Sequence, residues 1–119
     1  MKTHKDLIVW QKSIDFVTII YSVTRKFPDT EKYGLTNQIR RAAVSIPSNL
    51  AEGSARNHNK EFIQFLYIAL SSAAEVDTQI RISLNLNYLN SESSEELLME
   101  LETISKMLQG LIKSVRSNL

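Results

Sequence analysis

Tyr33 to Arg56, YGLTNQIRRAAVSIPSNLAEGSAR, decides the fold. Placed on a helix of 3.6 residues per turn, Leu35, Ile39, Ala42, Ala43, Ile46, Leu50 and Gly53 fall in one stripe, and Arg41, Ser45, Ser48 and Glu52 fall opposite. Arg40, Val44, Pro47 and Ala51 form a third, flanking strip of mostly small and apolar residues, more than one buried face requires. Pro47 stands inside this pattern. It cannot donate to the carbonyl of Ala43 and its ring crowds that carbonyl, at a cost of about 3 kcal/mol in an undistorted helix. A kink near residues 43–46, or a helix that stops and restarts at Pro47, is the expectation. Gly53-Ser54 is read as its end, with the single glycine of GSAR as a C-cap.

The same period extends to both sides. Asp6 is the expected N-cap of a first helix over 7–27, which the Phe27-Pro28 step closes. Trp10, Ile14, Val17, Tyr21 and Thr24 are its expected core line, with Val9, Phe16, Val23 and Phe27 as a second apolar line left for a further contact. A helix over 34–54 is followed by one over 59–87. In that helix Phe62, Phe65, Leu66, Ala69, Ala73, Val76, Ile80 and Leu84 form the core stripe, and Ile63, Tyr67, Leu70 and Ala74 a second one. The last helix, 94–116, opens at Ser93 or Ser94 with Glu95 and Glu96 in its first turn, and carries Leu97, Leu101, Ile104, Leu108, Leu111 and Val115. Four amphipathic helices with short connectors predict one all-α domain over 1–119, an antiparallel up-down four-helix bundle. The surplus strips on the first three helices predict a homo-oligomer, with Val9, Phe16, Val23, Val44, Pro47, Ala51, Ile63, Tyr67 and Leu70 as its candidate interface.

Composition narrows the function. There is no cysteine, hence no disulfide framework and no thiolate chemistry. MKTHKDLIVW has no long apolar signal core, and no stretch reaches the ~18–20 apolar residues of a membrane span, so a cytoplasmic protein with no membrane contact is expected. The net charge of +1 is unevenly spread. Residues 1–60 hold ten Lys/Arg against five Asp/Glu, and residues 61–119 hold four against eight. Unlike halves suit an anionic partner, or copies that meet through unlike faces.

Catalysis finds little support. His4 and His58 are the only histidines, the Glu-x-x-His pairs of bundle metal sites are missing, and Glu75 and Asp77 point about 200° apart on a helix. No catalytic residue, metal, cofactor or small-molecule substrate is assigned. Arg40, Arg41, Arg56 and Lys60 are the candidates for phosphate contacts, because guanidinium and ammonium groups pair with phosphate. The competing structural role is a bond from Arg40 or Arg56 to Glu52 or Glu61, holding the turn or a subunit contact. Gln38 and Asn49 are expected to bond across helices.

VWQKSIDF, IYSVTRKFP, the Tyr33–Arg56 block and NKEFIQFLYIALSSAAEVDTQI together resemble the 23S rRNA intervening-sequence proteins, over about Asp6 to Tyr88. The resemblance implies a four-helix bundle assembled as a ring-shaped homopentamer, with no established enzymatic activity. It extends to the accessory proteins of diversity-generating retroelements, basic pentamers that bind a reverse transcriptase and nucleic acid. This chain departs at His58, where Ser or Thr is usual, and in its near-neutral charge. Two functions follow: a binding or scaffold oligomer whose partner is RNA or a nucleic-acid-handling protein, or an assembly of protein contacts alone.

Overall fold

The computed structural model describes residues 3–119, and the Asp6 side chain also lies outside the described part. Four helices carry the chain: α1 Ile8–Thr24, α2 Leu35–Ser54, α3 Asn59–Asn85 and α4 Ser91–Arg116. Short 3-10 turns at His4–Asp6 and Asp29–Glu31 precede α1 and α2. There is no strand among the described residues.

Each helix packs on two neighbours in the cyclic order α1, α2, α3, α4, and the α2–α3 contact is the most extensive. Near the end of α2, Gly53 lies against Phe62 and Phe65 at the start of α3, while Ser45 meets Ser72 further along. These two helices therefore run antiparallel. Arg40 reaches back to Thr24 and Tyr21, so α1 and α2 are antiparallel as well. Arg116, at the end of α4, bonds Tyr67 in the first half of α3. The bundle measures 46 × 24 × 19 Å, its long axis close to the ~40 Å that 27 helical residues span.

The inner stripe of α2 is buried throughout: Ile39, Ala43, Ile46 and Leu50 are inaccessible to solvent. They meet Leu66, Ala69, Val76 and Ile80 of α3 and Leu101, Ile104 and Leu108 of α4 within one core.

Several expectations are corrected. The cap position of α1 falls on Leu7, Asp6 belonging to the 3-10 turn before it, and the helix ends at Thr24 rather than Phe27. Its two apolar lines share the inner side: Thr24 of the expected core line is buried and Trp10 and Val17 pack half-buried against the core, but Ile14 and Tyr21 do not face inward. Val9, Phe16 and Ile20 are buried with Ser13 and Thr24, while Ile14 is 39% and Tyr21 40% exposed. The physical reason lies partly in Ser13, whose hydroxyl bonds back to the Val9 carbonyl and so is buried beside Val9 and Phe16, where polarity did not mark the inner side.

Pro47 does not break α2, which is continuous through it. Gly53 is helical rather than a cap, and none of the glycines has a positive φ. It permits close approach: a Cβ there would stand 2.7 Å from Phe65 Cβ and 2.9 Å from Phe62 Cδ1. α4 starts at Ser91, because Asn90, not Ser93 or Ser94, supplies the cap, accepting from the Ser93 N–H at 2.8 Å. Ser94 is buried one turn later. Phe65 is only half-buried, and Ile63 takes a core place instead.

Candidate functional site

The structure separates the four candidate cations. Arg40 leaves the flank of α2 for α1. Its Nε donates to Thr24 Oγ1 at 2.8 Å, a terminal nitrogen donates to the Tyr21 carbonyl at 3.3 Å, and the guanidinium lies 4.6 Å from the centroid of the Tyr21 ring. This is a clamp between helices rather than a free phosphate ligand. Neither Glu52 nor Glu61 takes part in it.

Arg56 sits in the α2–α3 turn. It faces Glu52 at 3.8 Å and stacks 4.8 Å from the Phe65 centroid, with both charged partners largely in solvent. Lys60 is exposed at the start of α3 and lines an open recess with Asn57, His58, Asn59 and Leu119. His58 holds the cap position there, yet its side chain makes no capping bond. Arg41 is exposed and lines a shallow polar groove with Gln38, Ser45, Ser72, Glu75 and Gln79.

That groove is bridged at its centre, where the Ser45 and Ser72 hydroxyls lie 2.8 Å apart. Asn49 does not cross helices as expected. Its amide donates to the carbonyl and hydroxyl of Ser45, one turn earlier on the same helix.

The candidate interface residues also separate. Val9, Phe16 and Ile63 are buried in the chain's own core, 4%, 1% and 9% exposed, and Val23 packs half-buried against it. They are not an outward strip. Val44 stays 38% exposed. With Pro47 and Ala51 it lines a surface groove of about 340 Å³ whose other wall is Trp10, Ile14 and Val17 of α1. The flanking strip of α2 and the outer edge of the Trp10, Ile14, Val17 line of α1 thus form one apolar surface.

On the far side of the bundle Leu70 lines a wide groove between α3 and α4, about 900 Å³, with Ala74, Leu98 and Met99. Acidic residues Asp77, Glu95 and Glu102 border it. Asp77 is paired with Arg81 at 2.7 Å, a hydrogen bond and charge contact that raise the arginine pKa further. Tyr67 is exposed and accepts from Arg116 at 2.7 Å. Sequence reading did not single out Arg116, because its partner lies 49 residues away and only the fold joins them.

Among the described residues no group of three or more His, Asp or Glu could hold a metal ion, and no helix is long and apolar enough to cross a membrane. The features that stand out are surfaces: an apolar groove, an acid-bordered groove and exposed basic residues.

The fold is an all-α four-helix bundle. The chain belongs to the 23S rRNA-intervening sequence protein family, whose model matches residues 5–110. A solved structure similar to it is a protein of unknown function from the S23 ribosomal protein family of Bacteroides thetaiotaomicron. The two are 27% identical over 89% of this chain and 96% of that one, with a TM-score of 0.83. No curated protein matches the sequence.

Proposed function

We propose that this protein is a non-enzymatic, homo-oligomeric binding or scaffold module of the cytoplasm, whose partner is RNA or a protein that handles nucleic acid. The observation that carries the reading is the uncovered apolar groove between α1 and α2, walled by Trp10, Ile14, Val17, Val44, Pro47 and Ala51. A single copy leaves this surface in water, and a second copy covers it. The acid-bordered groove between α3 and α4, where Met99 is 70% exposed, offers a complementary apolar floor on the opposite side.

Contact between two unlike patches is heterologous, so copies add in one direction until a ring closes. Five is the ring size that the family resemblance supplies. The family description supports an RNA partner, and the likeness to retroelement accessory proteins supports a nucleic-acid-handling protein.

Light scattering with absorbance at two wavelengths tests both halves. A discrete oligomer that Val44→Glu reduces to folded monomers supports the assembly, and a wild-type monomer overturns it. Nuclease-sensitive absorbance at the longer wavelength in the oligomer peak supports an RNA partner.

Arg40 and Arg56 already have partners within the chain, and this favours a second reading, assembly through protein contacts alone. Rising salt separates the two. Release of RNA from an intact oligomer supports the first reading, and dissociation into subunits without bound RNA supports the second.

A further inference from the structure

We infer that the RNA-binding surface is one end of the bundle, where the α2–α3 turn meets the end of α4, and that its ligand is the phosphate backbone of the RNA. The inference rests on the RNA reading above and adds Lys113 and Arg116 to Arg56 and Lys60. Arg40 drops out.

The placement comes from the fold. Leu119 lines the same recess as Asn57, His58, Asn59 and Lys60, so the last turn of α4 lies beside the turn that opens α3. Lys113 and Arg116 occupy that last turn. The Arg116 guanidinium is held by the Tyr67 hydroxyl at 2.7 Å and lies 5.8 Å from the ring centroid. Arg56 makes no such bond but lies 4.8 Å from the Phe65 centroid. Two guanidinium groups and two exposed lysines therefore border one end. Lys5, exposed in the 3-10 turn before α1, stands at this end too.

Acidic residues here are fewer than basic ones: Glu52, facing Arg56 from 3.8 Å, Glu61, and Asp6 in the same 3-10 turn as Lys5. The other end is different. Glu92, Glu95 and Glu96 open α4 there, and Asp29 and Glu31 lie in the α1–α2 connector, against Arg25, Lys26 and Lys32 and, a turn or so into the helices, Arg40, Arg41 and the Asp77-paired Arg81. The basic end draws on both halves of the sequence, Lys5, Arg56 and Lys60 from the first and Lys113 and Arg116 from the second. In a ring of parallel copies the basic ends share one rim, and weak contacts from each chain act together. Lys113 and Arg116 also complement the dipole of α4, but that role affects stability and leaves RNA affinity unchanged.

Fluorescence anisotropy of a short fluorescein-labelled single-stranded RNA, titrated across a salt series, tests the inference on the full chain. The variants are Lys60→Glu/Lys113→Glu and, at the opposite end, Arg25→Glu/Lys26→Glu. Each is first checked for wild-type helicity and oligomer mass, with Gln versions held ready should Glu disturb assembly. The expected result is a loss of about tenfold or more for the Lys60/Lys113 pair, with the log–log salt slope shallower by about 1 per contact removed. The Arg25/Lys26 pair is expected to stay within about twofold of wild type. Equal losses in both pairs overturn the assigned surface while leaving RNA binding intact. Failure of the wild type to bind RNA overturns both.

Discussion

Gly53 and Phe65 touch where no larger residue fits: a Cβ on Gly53 would lie 2.7 Å from the Cβ of Phe65. The Phe65 Cβ moves only with the backbone of α3, and the second obstacle, the Phe62 ring, is itself buried in the core, so neither yields without opening α2 from α3. Ala normally improves a helix over Gly by about 1 kcal/mol, whereas overpacking costs about 1–3 kcal/mol. At this contact the steric cost wins. Gly53→Ala is expected to lower the unfolding free energy by about 1–2 kcal/mol in urea titration. Gly110→Ala serves as the control, since nothing lies within 4 Å of a Cβ there, and it is expected to stabilise.

Arg40 is assigned to structure rather than to RNA. Arg40→Ala removes two hydrogen bonds and the stack on Tyr21, and leaves the buried Thr24 hydroxyl with its bonds to Ile20 and Tyr21. Because the site is partly exposed, a cost of about 1 kcal/mol is expected. RNA affinity measured by anisotropy is expected to equal that of the wild type in an intact oligomer. A selective loss of affinity with unchanged stability would return Arg40 to the binding surface.

Tyr88 ties the α3–α4 connector to the α1–α2 connector. Its hydroxyl donates to Glu31 Oε2 at 3.0 Å, while Glu31 Oε1 accepts from the Leu35 N–H at 3.1 Å. The bond to Glu31, helped by burial and by the carboxylate charge, raises the Tyr88 pKa above its ordinary 10.0. A raised folded-state value means that the phenol's contribution is whole below pH 10 and is lost as pH rises through the folded value. Thermal unfolding is therefore expected to show Tyr88→Phe less stable at neutral pH, with the gap narrowing above pH 10. A gap that persists unchanged at high pH would show that the hydroxyl's contribution does not depend on the proton it donates to Glu31.

Ser94 is 1% exposed, and its hydroxyl finds no partner. A buried polar group left unpaired costs about 1–3 kcal/mol, and Ala removes that cost together with a weaker helix former. Ser94→Ala is expected to raise stability by about 1 kcal/mol in denaturant titration. Ser13→Ala, at an equally buried hydroxyl that does bond, to the Val9 carbonyl at 2.7 Å, is expected not to.

The sequence by itself determined the four helices and their approximate limits, because their apolar residues recur at the helical period and Gly and Pro are scarce. It determined the whole inner face of α2, whose seven residues from Leu35 to Gly53 are all buried. Periodicity reports an angle around one helix, however, and α1 is apolar at more than one angle. Which line faces inward was decided by the neighbours, which cover Val9 and Phe16 and leave Ile14 and Tyr21 at the surface. The same holds for charge. The helical period sets Arg40 on the flanking strip and Arg41 opposite the inner stripe. It does not say what Arg40 meets, a hydroxyl, a carbonyl and a ring on α1, while Arg41 stays exposed. Gly53, the groove shared by α1 and α2, and the basic end that joins Lys60 to Arg116 all depend on residues far apart in the chain. Only the tertiary structure decided them, because pairing between helices depends on which surfaces exclude water together, a property that no single helix carries.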